Sequence, residues 1–373
     1  MTQENIDRKS WKPRKLSGRL SFQGHPGAQI VDQYPALLHE LFLLRNPKHR
    51  FDKDYKDGLE KFVSKTPQGN WFYFPWSNTL VHFLPEAMHQ ELRTGRNRNL
   101  ITSEEQQKFY NATIGVLGMS VGSHAALTIA MTGGAKHIKI ADPDTLSGDN
   151  LNRIRTGFQN VGVKKVIAVA RQIYEMNPYT HVEIFDEGLT EKNMRGFLKG
   201  LDVLVEEMDN PYLKIKIRSE AQKLKIPVVM AADNGDGIIV DVERYDMEKD
   251  YPILHGILGK MAAEDFKNVP SKDLPRVIAR IAGADIAALQ MLESVLEVGK
   301  SIYSWPQLGT AATLCGATLA YLARRIVLQD KKIKSGRYEV NPDAIFESGF
   351  HDAAEKKARD RKREEFLKII GLE

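Results

Sequence analysis

GVLGMSVGSHAALTIAMTGGAKHIKIADPDTLSGDNLNRI, from Gly115 to Ile154, is the stretch on which the reading turns. An apolar strand at 113–118 ends in the turn Gly118-Met119-Ser120-Val121-Gly122-Ser123. Glycines there let the backbone approach a phosphate, and the helix that follows offers free N–H groups and the positive end of its dipole. The strict GxGxxG pattern is not met, because Ser120 holds the middle position. Asp142 ends the second strand, about twenty residues past the turn, where an acidic side chain bonds ribose hydroxyls. To this point NAD(P) and ATP fit equally well. No G-x-x-x-x-G-K-[ST] element occurs, so this is not a P-loop.

Outward from this stretch, strands and helices alternate. Strands are expected at 113–118, 137–142, 181–186, 202–206, 226–230 and 236–246. Helices are expected at 122–133, 163–176, 190–198 and 211–224. That alternation predicts a Rossmann-like α/β fold with a mostly parallel sheet covered on both faces. Residues 1–95 read as a small α/β accessory domain, helical over 28–65 and strand-and-turn over 69–84. Its aromatic run Trp71, Phe72, Tyr73, Phe74 and Trp76 fits a core or a recognition surface. Thr102 to Gln106 has the pattern of a capped helix start. Two long apolar helices are expected at 272–298 and 306–329, the second burying Cys315. Residues 336–373 read as a strand and a charged helical tail.

With 373 residues, 42% of them hydrophobic and 27% charged, the chain can bury a sizeable core. A net charge of +5, without interleaved aromatic and basic residues, does not point to nucleic acid. No apolar run is long enough to span a membrane, and the N-terminus lacks a signal-peptide core, so a cytoplasmic protein is expected. The single cysteine excludes an internal disulfide and a cysteine-based zinc site.

The polar run decides between the nucleotides. Asn150, Arg153 and Lys165 lie just beyond the second strand, and Asp209-Asn210 closes another. A triphosphate needs such point cations and donors, whereas a dinucleotide's pyrophosphate is handled by the first turn. A carboxylate at the C-terminal edge of a parallel sheet, near phosphates, suits magnesium.

The segments IADPDTLSGDNLNRI, NVGVKK, YEMNP and EEMDN, in this order and spacing, resemble the ThiF/MoeB/HesA superfamily, the adenylate-forming fold shared with ubiquitin-activating enzymes. The resemblance covers about 96–330 and marks 96–335 as an adenylation domain. It implies that Gly118 and Gly122 lie in the phosphate turn, that Asp142 binds ribose, and that Asp144 sits beside it. Asn150 and Arg153 would contact phosphates, and Lys165 the ribose and α-phosphate. Asp209 would hold magnesium, with Asn210 beside it. It further implies a homodimer in which Arg98 enters the partner's site. The implied activity is adenylation of a carboxylate, on the C-terminus or a side chain of a small protein or peptide.

The chain departs from the family in lacking the CxxC zinc pairs and any cysteine in 233–270. No zinc is expected, and a non-cysteine acceptor should take the acyl group. His124 and His137 are expected to be structural, and His255 is better placed for substrate. The rivals are an NAD(P)-dependent oxidoreductase, against which Arg153 and Lys165 argue, and a non-catalytic binding relative.

Overall fold

The computed structural model describes residues 10–17, 25–48, 54–259, 261–267, 269–270, 274–369 and 371. The N-terminal part contains β1 (Arg14–Leu16), β2 (Gln29–Val31), α1 (Tyr34–Arg45), α2 (Tyr55–Lys65), β3 (Asn70–Phe74), β4 (Thr79–Phe83) and α3 (Glu86–Arg93). The expected continuous helical stretch over 28–65 is thus a strand and two helices. Pro35 fits the first turn of α1, where its missing N–H is an orphan in any case. The four strands form one sheet in the order β1-β3-β4-β2.

This sheet explains the aromatic run. Successive strand residues face opposite sides. Phe72, Phe74 and Phe83 enter the same buried cluster as Ile114 and Val116, while Trp71, Tyr73 and Leu80 form a cluster on the other face. The run is core, and Trp76 donates its indole N–H to Glu175 at 2.6 Å.

The remaining elements are α4 (Ser103–Asn111), β5 (Thr113–Leu117), α5 (Val121–Met131), β6 (His137–Ala141), α6 (Lys165–Met176), β7 (His181–Phe185), α7 (Met194–Leu198), β8 (Val203–Glu206), α8 (Pro211–Lys223), β9 (Val228–Asn234), β10 (Gly237–Glu243), α9 (Leu274–Ala282), α10 (Leu289–Glu297), α11 (Gly309–Val327), β11 (Gly336–Val340), α12 (Asp343–Phe346) and α13 (Ala353–Ile369). The capped start is present: Glu105 N–H donates to Thr102 Oγ1 at 3.2 Å, and Thr102 N–H to Glu105 at 2.9 Å.

The main sheet has seven strands in the order β11-β10-β9-β8-β5-β6-β7. Strands β9, β8, β5, β6 and β7 run parallel, and β10 and β11 are antiparallel additions. Strand β11, grouped by its sequence with the C-terminal tail, is therefore an edge of this sheet. Ile114, Val116, Ile138 and Val205 pack under α5, α6 and α11, whereas Leu117, Leu204 and Ala141 pack under α7 and α8. Both faces are covered, which is why these strands read as near-continuous apolar runs.

The helix expected at 272–298 is split. Residues 271–273 lie outside the described residues, and Gly283 at φ 89° separates α9 from α10. The charged tail helix α13 is anchored by Phe366, which is buried beside Leu292.

His89 joins the two parts. It stands on α3 with its Nε2 3.0 Å from the Met176 carbonyl at the end of α6. Burial, opposed by that carbonyl, pulls it down from 6.5 to about 4. The unfolded chain therefore binds a proton that the folded chain refuses between these values. Stability should be complete above pH 6.5 and fall as the pH drops toward 4, at up to about 1.4 kcal/mol per pH unit. Urea unfolding across pH 4–7 should show this slope reduced in His89→Gln.

Candidate active site

The chain leaves β5 for β6 on one side and returns to β8 on the other. Strand order reverses there, so a crevice opens outside the carboxyl ends of β5 and β8, the expected place for a ligand in this architecture. The turn after β5 lies in it. Gly118 has φ 80°, and a Cβ at this position would strike the Glu207 carbonyl at the end of β8. Gly122 lets α5 settle on β5, since a Cβ there would lie 3.0 Å from Val116 Cγ1. The N-terminus of α5 faces the crevice, with Ser123 Oγ donating to the Ser120 carbonyl at 2.6 Å.

Asp142 braces this turn. Its Oδ2 accepts Met119 N–H at 2.6 Å, and its Oδ1 accepts Asp144 N–H at 2.8 Å. Burial pushes its carboxyl up; the Met119 N–H and Lys165 pull against that. The expected ribose ligand thus already holds two loops together, leaving only its remaining lone pairs for a sugar. Lys165 opens α6 and donates to Asp144 Oδ2 at 2.9 Å. Its ammonium also acts on Asp209, so β6 and β8 share one cation.

Arg153 reaches the turn itself. Its Nε lies 3.3 Å from Ser120 Oγ, and its NH1 donates to the Asp149 carbonyl and Asn152 Oδ1, each at 3.0 Å. The Arg153 carbonyl is bonded by Nε2 of the buried His124. His124 is held below its usual range by burial. A neutral His124 donating from Nε2 fixes the backbone that carries Arg153. Asn150 turns inward instead: its Oδ1 accepts Ser147 N–H at 3.3 Å within its own short helix.

Beneath the other wall lies a charged network that the sequence reading missed. Glu206 is fully buried at the end of β8. One of its oxygens accepts Met208 N–H at 2.8 Å, and the other meets Lys214 Nζ at 2.8 Å and the Arg218 guanidinium. Arg218 Nε bonds Glu243 at 2.7 Å, and Glu243 also receives the Tyr245 hydroxyl at 2.7 Å. The clue was present in Lys214 and Arg218, four residues apart among apolar neighbours, so that both charges face inward.

This network grips the turn that presents Asp209. Asn210, the expected neighbour of the magnesium, caps α8 by accepting Leu213 N–H at 3.0 Å. Asp209 itself is exposed at the crevice, and no hydrogen bond or ion pair among the described residues engages its carboxylate. Surrounding protein pushes it up from the ordinary aspartate value, Lys214 and Lys165 pull it down, and Glu206 and Asp144 add to the rise.

The floor is acidic. Glu207 accepts Ala231 N–H at 2.8 Å, and burial holds it well above the ordinary range. Asp233, at the end of β9, accepts Gln307 Nε2 at 3.2 Å and faces the Cys315 thiol at 3.5 Å. Cys315 is fully buried on α11, and burial together with Asp233 and Glu207 pushes its thiol far up. It is a protonated donor on the crevice floor.

Three candidates lie elsewhere. Arg98 donates to the Leu44 carbonyl at 3.0 Å and pairs with Glu91 at 3.2 Å. Its neighbour Asn97 bonds the Thr132 carbonyl at the far end of α5 at 3.2 Å. The eleven residues of α5 rise about 16 Å. Arg98 therefore stands a helix length away from its own chain's glycine turn. His137 begins β6 at the opposite end from Asp142. His255 lies 3.0 Å from Asp241 in mid-sheet, away from the crevice.

Comparison with known proteins agrees with this geometry: the ThiF family description matches residues 94–363. The chain belongs to the ThiF family. An uncharacterized protein of Mycobacterium tuberculosis is 36% identical over 278 residues, 74% of this chain and 38% of that protein. The tRNA threonylcarbamoyladenosine dehydratase of Escherichia coli is 31% identical over 150 residues, 39% of this chain and 55% of that enzyme. An adenylyltransferase and sulfurtransferase of Candida albicans is 32% identical over 116 residues, 31% of this chain and 26% of that enzyme. This ThiF-family chain thus spans between about a quarter and just over half of these relatives. Among solved structures, the E. coli tRNA N6-threonylcarbamoyladenosine dehydratase matches 66% of this chain and 98% of that chain, with a TM-score of 0.48 and 20% identity.

Removing Glu206 would leave Lys214 and Arg218 buried without their shared counter-charge. Glu206→Gln should destabilise this ThiF-family chain by about 3–5 kcal/mol, the usual result of breaking a buried pair from one side. Chemical denaturation of both proteins measures it, and a change below about 1 kcal/mol would mean that the network is not closed as described.

Proposed function

We propose that this chain is an Mg-ATP-dependent adenylyltransferase that activates a carboxylate and passes it to a non-cysteine acceptor. The observation that carries the reading is the pairing of Arg153, placed on the Ser120 turn at a helix N-terminus, with the unengaged carboxylate of Asp209 on the facing strand end. Relatives named as adenylyltransferases agree with it.

The residues present fit ATP and a divalent cation. Among the described residues no three His, Cys, Asp or Glu side chains form a ready-made metal cluster. Magnesium does not require one, since it is usually held by one or two carboxylates together with substrate phosphates and water. Asp209 would supply that carboxylate, and the ion would neutralise polyphosphate charge.

In the reaction, a substrate carboxylate oxygen attacks the α-phosphorus of ATP. The new P–O bond makes the acyl-adenylate, the bond to the bridging oxygen breaks, and pyrophosphate leaves. No general base is needed, because the carboxylate is ionised at neutral pH. Arg153 and the turn N–H groups would stabilise the developing charge, with Lys165 exchanging Asp144 for nucleotide oxygens. Asp142 would meet the ribose. The acyl group would pass to a sulfur donor, an amine or a group within the same substrate, because the buried thiol of Cys315 stays protonated. Arg98, bound to its own N-terminal elements, would serve the site of a second chain in a homodimer.

Mg-ATP should raise the melting temperature of the wild-type chain, and Asp209→Ala or Arg153→Ala should lose most of the shift. At a hundredfold excess over Kd the stabilisation is about 2.7 kcal/mol. A shift with NAD(H) or NADP(H) alone would overturn the reading.

Arg98→Ala and Asp209→Ala should each abolish pyrophosphate release, and mixing the two proteins should restore part of it. Absence of any rescue would count against the second-chain role.

A further inference from the structure

His124 stands in the first turn of α5, 2% exposed, where α5, the segment around Arg153 and α11 meet. We propose that it is a positioning residue of the nucleotide site, which holds polyphosphate tightly only while this imidazole is neutral and grips the backbone of Arg153. The proposal deepens the adenylation reading, as the regulation of its nucleotide site, and rests on it.

Arg153 is set in place by its backbone. Its N–H donates to the Asn150 carbonyl at 3.1 Å, and its carbonyl accepts from Nε2 of His124. Ile154 beside it is buried with Leu146 and Ala168, which fixes the chain on that side. The guanidinium then reaches Ser120 Oγ on the phosphate turn at 3.3 Å. Of the two backbone anchors, only the one from His124 can titrate.

The surroundings accept one proton on this ring and oppose a second. Helix α11 is built around it: a Cβ at Gly316 would lie 2.3 Å from His124 Cβ. Nδ1 is buried, and no described residue bonds it. A neutral ring that donates from Nε2 needs no acceptor at Nδ1, whereas an imidazolium needs one for its second N–H. The charges nearby are of the wrong sign. The segment 153–155 brings Arg153 and Arg155, and Arg155 NH2 lies 3.5 Å from Thr313 Oγ1 on α11. The titratable neighbour on α11, Cys315, turns its thiol to Asp233 instead. Helix α5 has no acidic residue in its first turn, and the positive end of its dipole lies there. Burial pulls the imidazole below its usual range, the Arg153 carbonyl opposes, and Arg155 adds to the fall.

A proton on Nδ1 therefore drives the ring from its place between α5 and α11 and releases the Arg153 carbonyl. The guanidinium then loses its fixed approach to the turn. Simple attraction works the other way, since a triphosphate draws positive charge toward it and favours the imidazolium. The two effects differ in sign, and reciprocity makes the sign measurable. A nucleotide that binds the neutral form better must in turn keep the ring neutral to lower pH.

Isothermal titration of the wild type with Mg-ATP comes first; no binding means that the adenylation reading has failed, and the proposal with it. Nitrogen-15 NMR of labelled histidine in the wild type then follows His124 from pH 5 to 8, with and without saturating Mg-ATP. Its signal is assigned by contacts with Gly316 and by its loss in His124→Gln. The expected result is a neutral ring protonated on Nε2 at pH 7.5. Its titration midpoint should fall by about one pH unit when Mg-ATP binds, equivalent to about tenfold tighter binding to the neutral form. His124→Gln keeps a donor and cannot titrate, so it isolates this effect from the titration of ATP itself. Below the wild-type midpoint, the wild type should lose about fivefold more ATP affinity than this variant. A midpoint that rises or stays unchanged with Mg-ATP bound would overturn the role of His124 and leave adenylation standing. The same pH dependence of ATP affinity in both proteins would overturn it equally.

Discussion

A carboxylate sealed from water has to find its own counter-charges, and Glu206 does so in a way that organises half the crevice. Its partners come from the first turns of α8, and through Arg218 and Glu243 the network reaches β10 and the segment after it. Such a cluster stabilises little beyond what a well-packed apolar core would supply. Its value here is geometric. The turn between β8 and α8 is held at its start through Met208 and at its end by the Asn210 cap, so the intervening Asp209 is presented without being bonded itself.

The opposite wall follows the same plan with different chemistry. Asp142 uses backbone N–H groups to lock two loops, and His124 locks the carbonyl behind Arg153. In each case a buried group does the positioning and leaves a less buried neighbour, Asp144 or Arg153, at the crevice. Gly118 brings the walls together, because only the absence of a side chain allows the β5 turn to lie against the Glu207 carbonyl. The carboxyls of Glu207 and Asp233 are pushed up by burial on this floor, and at Glu207 the neighbouring Glu206 and Asp233 add to the rise.

The main sheet was legible because parallel strands buried on both faces leave apolar runs that punctuation residues separate cleanly. Asp142, Arg153, Lys165 and Asp209 could be picked out as candidates because polar residues beyond strand ends stand out against those runs. What escaped depends on tertiary partners. Lys214 and Arg218 look like surface charges on a helix until Glu206 and Glu243 are seen between them. Asn150 and Asn210 suit a ligand by residue type, yet their amide oxygens complete local caps. The long helix expected at 272–298 has the right apolar content, and Gly283 breaks it where Arg337 presses close. The aromatic residues of β3 could not be assigned from sequence, because a buried face and a binding face have the same composition.

Cys315 gives the chain a property unrelated to its chemistry. It is the sole sulfhydryl in 373 residues, and it is fully buried between α11 and the end of β9. A thiol-directed reagent can reach it only when that helix lifts from the sheet, so labelling proceeds at the pace of local opening. The folded chain thereby carries a built-in reporter of how often the floor of its crevice comes apart.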